Sequence, residues 1–254
     1  MFIKRIFNKL IIKKNYRYAN KISTLFNDKI NFLDIGASGG LEPRWKKFEG
    51  QINTQLIEPD ERSIKNFDTK DLNINLIWSE ETDLDFYLTR KKECSSVFTP
   101  NENIINKYPN KERYEVIKKK KIFSNTIDNI FFNQNFDFIK IDTQGSELNI
   151  LMGGKKKLQD VLGLEIEVEF SKVYNDQPLF EDVKDYVEKE GFVFIDFVTI
   201  NRWGKDKIDG FGSIIHADAL FLRDPDIMID NKKNINSTVI DKYIQILFIY
   251  NRLD

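Results

Sequence analysis

Cysteine and histidine are nearly absent from this chain, and each scarcity removes a class of chemistry. Cys94 is the only cysteine, which excludes a disulfide framework and a thiolate metal cluster and makes a reducing compartment, the cytoplasm, the expectation. His216 is the only histidine, so a site needing two imidazoles, such as the H-E-x-x-H metalloprotease helix, is excluded. No uninterrupted apolar run reaches the length of a bilayer span, and the N-terminus lacks the apolar centre and small-residue cleavage site of a secretory signal. The formal net charge of −1 argues against a nucleic-acid binder. What remains is a chain of 254 residues, enough to bury a core in one large α/β domain or two small ones.

The organising stretch is Phe32-Leu33-Asp34-Ile35-Gly36-Ala37-Ser38-Gly39-Gly40, an apolar run that ends in glycines with an acid set just before the first. A buried parallel strand feeding a tight turn has this form, because glycine lets the backbone take positive φ and lets a ligand come close. A second strand, Gln55-Leu56-Ile57-Glu58, ends in an acid at the position where ribose hydroxyls are held. The dinucleotide fingerprint G-x-G-x-x-G fails at Ser38, and no Lys-Ser or Lys-Thr follows to make a phosphate loop. What is left, D-x-G-x-x-G-G with a later strand-end Glu, resembles the first motif and acidic second loop of class I methyltransferases that use S-adenosylmethionine (SAM). That ligand has no phosphate, so a carboxylate near the loop repels nothing.

Taken in order, residues 1–29 read as a basic amphipathic helix, with Phe2, Ile6, Phe7 and Leu10 on one face and Lys4, Arg5, Lys9, Lys13, Lys14 and Arg17 between them. It either packs on the core or attaches through residues 1–17 to an anionic membrane, which would place the protein peripherally on the inner membrane surface. Strands are expected at 30–35, 54–58 and 74–78, joined by helices anchored on Trp45 with Phe48 and on Ile64 with Phe67; such crossovers imply a parallel, doubly wound sheet with ligands at its carboxyl edge. Gly36, Glu58 and Ser79 then share that edge. Leu84–Leu88 reads as an edge strand, and the run Lys118–Lys121 as part of a long polar stretch, either a solvated face or a steering patch for an anionic substrate.

A short helix opening at Thr126 precedes the strand Phe136–Asp142, whose terminal acid lies on the same edge as Gly36; the helix that follows is expected to turn Leu148, Leu151 and Met152 inward. Leu164–Phe170 alternates without a fault, and its acids Glu165, Glu167 and Glu169 share one face. Such a row is costly unless solvated or paired, and Glu169, nearest the edge, is the candidate to touch substrate or a metal ion. A helix at 179–190, strands at 192–197 and 218–223 and a loop carrying Arg202, Trp203 and Phe211 complete a domain at 30–224. Residues 225–254 add a helical extension that reads as packing or as a surface for homo-oligomer formation.

In order and spacing, FLDIGASGG, LIEPD, SSVFTP, FDFIKIDTQGSELNILMGG, LGLEIEVEF and DALFLR resemble the FkbM family of SAM-dependent O-methyltransferases, most specifically in K-I-D-x-x-G-x-E-x-x-I-L at Lys140–Leu151. The resemblance implies an α/β fold of the Rossmann-like class I methyltransferase kind: a seven-stranded, mostly parallel sheet with an antiparallel last strand and helices on both faces. It also implies SAM as donor, a sugar or polyketide hydroxyl as acceptor, and contacts to SAM from Asp34, Gly36, Ala37, Ser38, Gly39, Glu58, Ser79 and Asp142. Glu147 falls in the signature turn and is placed near substrate.

An alcohol needs help to lose its proton at neutral pH, and three groups compete for that role. Asp142, Glu169 and His216 are the candidates; alternatively Asp142 and Glu169 hold a divalent cation, Mg or Mn, that acidifies the acceptor hydroxyl. Trp203 and Phe211 are placed to stack on a sugar ring and Arg202 to pair with an acidic sugar or phosphate. Two rival classes stay open, a Rossmann-like oxidoreductase and a non-catalytic scaffold on the SAM fold.

Overall fold

The computed structural model describes Phe26 and residues 28–66, 72–131, 133–205, 210–230 and 235–252. The N-terminal helix and its membrane contact at residues 1–17, and Phe67, lie outside the described residues. In chain order the elements are β1 (Ile30–Ile35), α1 (Pro43–Lys46), β2 (Ile52–Ile57), β3 (Leu72–Asn73), β4 (Leu76–Ile77), β5 (Asp83–Thr89), α2 (Glu102–Ile105), β6 (Val116–Asn125), α3 (Ile127–Ile130), β7 (Phe138–Ile141), α4 (Glu147–Met152), α5 (Lys155–Leu158), β8 (Gly163–Glu169), α6 (Phe180–Lys189), β9 (Phe192–Trp203), β10 (Ser213–Arg223), α7 (Pro225–Asp230) and α8 (Ser237–Ile249).

Seven strands form one sheet in the order β3-β2-β1-β7-β8-β10-β9. β1 pairs in parallel with β2 and β7, and β7 with β8; β10 runs against both neighbours. The sheet separates two cores because strand side chains alternate between faces. Leu33, Ile35, Ile139, Ile141, Leu164, Ile166 and Val168 point to one face, under α3 to α6. Ile30, Phe32, Phe138, Leu220 and Leu222 point to the other, under Trp45 of α1 and Ile246, Ile249 and Tyr250 at the end of α8. Trp45 is fully buried, its ring centroid 4.3 Å from that of Phe32.

This second face changes character toward the carboxyl edge. Register places Asp34, Lys140 and Glu165 in one transverse row, Glu167 opposite Asp218 and Glu169 opposite His216 in the rows above. Half of the face is therefore an apolar core and half a buried field of ionisable groups, and the site lies over the second half.

Several elements depart from expectation. The strand expected at 74–78 is split: Leu72–Asn73 joins the main sheet, while Leu76–Ile77 pairs with β6 in a second, three-stranded sheet of order β4-β6-β5. The lysine run is not irregular but lies in β6, where Lys118–Lys121 pair with residues 85–88 of β5; the ladder needs only backbone groups, so a strand of lysines folds once a partner is present. β9 and β10 extend to Trp203 and from Ser213, converting most of the expected loop into a hairpin. The first crossover helix is a single turn, and the second is a 3-10 helix at Glu61–Asn66. Met152 faces outward, and Ile150 with Leu151 takes the inward position. The C-terminal segment packs, one of the two readings expected of it: Tyr250 and Ile246 close the core under β1.

Candidate active site

The glycine loop is held by backbone geometry. Gly36 has φ +87, and a Cβ there would lie 1.7 Å from the carbonyl oxygen of Asp142. Its N–H donates to Ile57 O (2.9 Å), and Asp142 N–H donates to Ile35 O (2.9 Å), so the first glycine lets the ends of β1, β2 and β7 meet. Gly39 has open space where a Cβ would be and faces a cavity of about 360 Å³. Ser38 contacts Ser63 through their hydroxyls at 3.1 Å. Glu58 accepts from Asp60 N–H at 2.7 Å, and burial pushes its carboxyl up to about 7. Asp60 is occupied by Arg62 and Ser95.

The turn after β7 is braced by one buried acid. Glu147 Oε1 accepts from Thr143 N–H (2.8 Å), Gly145 N–H (3.1 Å) and the Thr143 hydroxyl (3.1 Å); burial raises this carboxyl to about 7 against those bonds. Gln144 takes φ 62 and Gly145 φ +105, which turns Gln144 Nε2 toward Asp142 Oδ1 (3.1 Å) and Glu167 Oε2 (2.6 Å). The Tyr174 hydroxyl shares its one proton between Cys94 O (2.9 Å) and Gln144 Oε1 (3.1 Å), and the amide's orientation follows from Nε2 standing between the two acids.

The carboxyls of Asp142 and Glu167 are shifted in opposite directions. Burial raises Asp142, but Lys140, whose Nζ is 3.5 Å away, and hydrogen bonds from Glu167 and Gln144 outweigh it and hold the carboxyl below its ordinary value. Burial, then the neighbouring charges of Asp142 and Glu169, drive Glu167 well above its own. The two shifts make Asp142 the more acidic of the pair and Glu167 the one that holds a proton more readily. His216 Nδ1 lies 2.6 Å from Glu167 Oε1, in contact but not aligned for a linear hydrogen bond, an arrangement common in unliganded sites that tightens on binding. Burial lowers the imidazole pKa, which keeps His216 neutral. With Nδ1–H turned to Glu167, Nε2 carries a lone pair.

The FkbM methyltransferase domain model matches residues 29–194, about two thirds of the chain. The chain belongs to the FkbM methyltransferase family. Among solved structures it is similar to an FkbM methyltransferase from Methylobacillus flagellatus KT, at 16% identity and a TM-score of 0.46, over 78% of this chain and 44% of that one; this chain thus spans less than half of that protein. It is similar as well to the magnesium protoporphyrin IX methyltransferase of Synechocystis PCC 6803, solved with bound SAM (9% identity, TM-score 0.40, 87% of this chain and 81% of that one). A third is the precorrin-6y C5,15-methyltransferase of Geobacter metallireducens GS-15 (10%, 0.40, 81% and 87%). No curated protein matches the sequence. Among the described residues no helix is long and apolar enough to cross a membrane.

In this member of the FkbM methyltransferase family the cavity gathers Gly36, Ser38, Gly39, Glu58, Asp142, Trp203 and His216 from the residues expected at the site. Others stand elsewhere. Asp34 is buried behind the loop, 3.9 Å from Lys140 Nζ, its carboxyl raised by burial to about 6, and Ala37 is buried too. Ser79 does not line the cavity; the split of the third strand puts Asn75, Leu76 and Ile77 there instead. Glu147 is committed to the turn and does not reach the cavity. Glu169 is covered by the segment carrying Tyr174 and Gln177 and lines only a small recess beside His216. It groups with Glu147 and Glu167, ligand atoms within 4.8 Å of one another, rather than with Asp142. Arg202 is exposed, with its guanidinium on Gly212 O at 3.3 Å, and Phe211 is 92% exposed and away from the site.

Sequence reasoning passed over Gln144, Glu167, Arg113 and Tyr114. Glu167 carried a signal, its place in the alternating acids of β8, but register with β7 was needed to see that Ile141 pairs with Ile166 and so puts Asp142 beside Glu167. Arg113 and Tyr114 come from the turn Lys111–Tyr114, where nothing in the sequence marks them.

Proposed function

We propose that this protein transfers a methyl group from SAM to a hydroxyl of a sugar-containing acceptor, with His216 as the general base. The observation that supports this best is the placement of a neutral His216, its Nδ1 against Glu167, in the same cavity as the glycine loop and Asp142. The residues fit the donor: the acids Glu58 and Asp142 suit a cationic ligand with ribose hydroxyls, and Gly39 leaves room for close approach, while the loop offers no phosphate cradle. SAM, when bound, supplies a methyl group on a positively charged sulfonium.

The chain's own residues do the rest. Glu58 accepts from hydroxyls at the end of β2, Leu76 and Ile77 give an apolar wall, and Asp142 presents negative charge where a sulfonium is to be held. His216 Nε2 takes the acceptor's proton as the oxygen attacks, and Glu167, hydrogen-bonded to the carboxylate of Asp142, stabilises the imidazolium that results. Such a base is worth a factor of about 100 to 10,000. Trp203, a wall of the cavity, carries the Arg113 guanidinium over its ring.

The test is mass spectrometry of surface glycans and glycolipids from cells with and without this protein, together with transfer of label from SAM to those extracts. Loss of one O-methyl group, with label transfer abolished in His216→Ala and unchanged by chelator, is expected. SAM binding without transfer to any acceptor would leave a non-catalytic scaffold. A second reading, a divalent cation, is favoured by the cluster of Glu147, Glu167 and Glu169. Loss of activity on chelation, restored by Mg or Mn, would put it first. Attachment of residues 1–17 to anionic membranes is proposed separately, and equal co-sedimentation with anionic liposomes after their deletion would refute it.

A further inference from the structure

One buried guanidinium donor that lines the cavity has no hydrogen-bond partner. Arg44 pairs with Glu165, Arg62 with Asp60, Arg90 with Glu115 and Arg252 with Asp196; Arg202 and Arg223 donate to backbone carbonyls. Arg113 alone among the described arginines has no oxygen partner, and its Nε is buried and unsatisfied. A buried donor left without a partner is costly unless a ligand completes it.

The guanidinium is nevertheless fixed. Its central carbon lies 4.5 Å from the centroid of Trp203 and 4.9 Å from that of Tyr114, contacts that hold the plane through cation–π attraction and leave N–H groups free at its edge. Lys91 and Lys92 line the same cavity; Glu93, 3.8 Å from Lys92, is the acid at that rim. Trp203 and His216 stand on the β9–β10 hairpin, and Arg113 packs on Trp203. The glycine loop and Glu58 lie across β7 and β8 on the other side of the sheet order. Lys92 donates to Ser38 O at 3.4 Å and so stands at the glycine loop, while Arg113 is the cation at the far end, where Glu167 lies against His216.

We infer that Arg113 holds an anionic group of the acceptor, a carboxylate or phosphate carried by its sugar, and so selects acidic over neutral sugars. The planar, forked guanidinium matches either anion by paired N–H···O bonds, and it replaces Arg202, whose guanidinium points away. This rests on the methyltransferase reading of the same cavity.

The test is calorimetry on the full chain, first with S-adenosylhomocysteine and then, on the loaded protein, with glucuronate, glucose 6-phosphate, inorganic phosphate and glucose. Tighter binding of at least one acidic sugar than of glucose, by about tenfold or more, is expected, and that preference should vanish in Arg113→Met, which keeps the stem over both rings. Glucuronate against glucose 6-phosphate tells carboxylate from phosphate. Inorganic phosphate binding as well as the phosphosugar would show a bare anion site and overturn acceptor selection. Affinity for S-adenosylhomocysteine should stay within about threefold in the variant; a larger loss would give Arg113 to the donor's carboxylate and also overturn the inference. No binding of S-adenosylhomocysteine by the wild type would sink the donor-site reading itself, whereas donor binding without preference for an acidic sugar sinks this inference alone.

Discussion

Gly36→Ala tests whether the glycine loop is a ligand cradle or a hinge of the sheet edge. A Cβ at this position would sit 1.7 Å from Asp142 O and 3.2 Å from the Thr143 methyl, and the residue has φ +87. Two costs follow. A left-handed backbone costs a non-glycine residue about 1–2 kcal/mol. Relieving the overlap requires the end of β7 to move by more than an ångström, which breaks the 2.9 Å bond from Asp142 N–H to Ile35 O, about 1 kcal/mol, and adds roughly 1–3 kcal/mol of overpacking. A total of about 3–6 kcal/mol is a large share of the 5–15 kcal/mol that holds a typical domain together.

The same displacement carries Asp142 away from Gln144 and Glu167, and a misplacement of about 1 Å costs on the order of 100-fold in a positioned site. Thermal denaturation and calorimetry with S-adenosylhomocysteine are the assays, and Gly39→Ala is the control: a Cβ there meets nothing within 4 Å, so its melting temperature should hold while ligand affinity falls. A Gly36→Ala protein with wild-type melting temperature and affinity would refute the reasoning outright.

His216 is the only histidine, so its NMR signals need no assignment by mutation; its pKa should lie below the ordinary 6.5 because burial disfavours the imidazolium, and a value above 6.5 would contradict the neutral base. Glu167→Gln mimics the neutral acid and should keep more activity than Glu167→Ala, which leaves Gln144 and His216 without their shared partner; the reverse order would show that Glu167 works as a carboxylate. Asp34 and Asp218 are raised to about 6, and Glu58, Glu147 and Glu165 to about 7, burial being the largest cause in each. The unfolded chain gives up these protons first, so between about pH 4.5 and 7 stability falls as pH rises; a melting temperature that climbs from about pH 5.5 to 8 would contradict this. Tyr250→Phe removes the hydroxyl that donates to Glu165 and accepts from Trp45 Nε1, and should cost about 1–3 kcal/mol in urea denaturation; no change would mean α8 is not part of the core.

Much of the fold was legible because its signals are local. β1 and β7 are mostly apolar runs ended by glycine or acid, β8 alternates apolar and acidic residues, and each lies within two residues of its expected position. Thr126 caps α3 through Asn129 N–H, as its residue type suggests. Where pairing supplies the stability, local signals fail. β6 offers four lysines in a row and folds because β5 satisfies its backbone; the outer half of β9 carries Thr199, Asn201 and Arg202, and folds because β10 lies beside it.

The site divides along the same line. Gly36, Glu58 and Asp142 end strands, and strand ends of a parallel sheet converge on one edge whatever the details of packing. Glu167 and Glu169 stand two residues apart on one strand face, and sequence alone ranks them by nearness to the edge. The structure reverses that rank because the segment from Val173 to Gln177 covers Glu169, while Gln144, held in a left-handed turn by Glu147, reaches Glu167 instead. His216 acquires its place only through the antiparallel ladder that sets it across from Glu169. Arg113, from a turn with no periodicity, is visible only as a cation that the folded chain leaves unpaired. Cavity residues at strand ends can thus be read from the sequence, whereas those at its far end depend on contacts between distant segments.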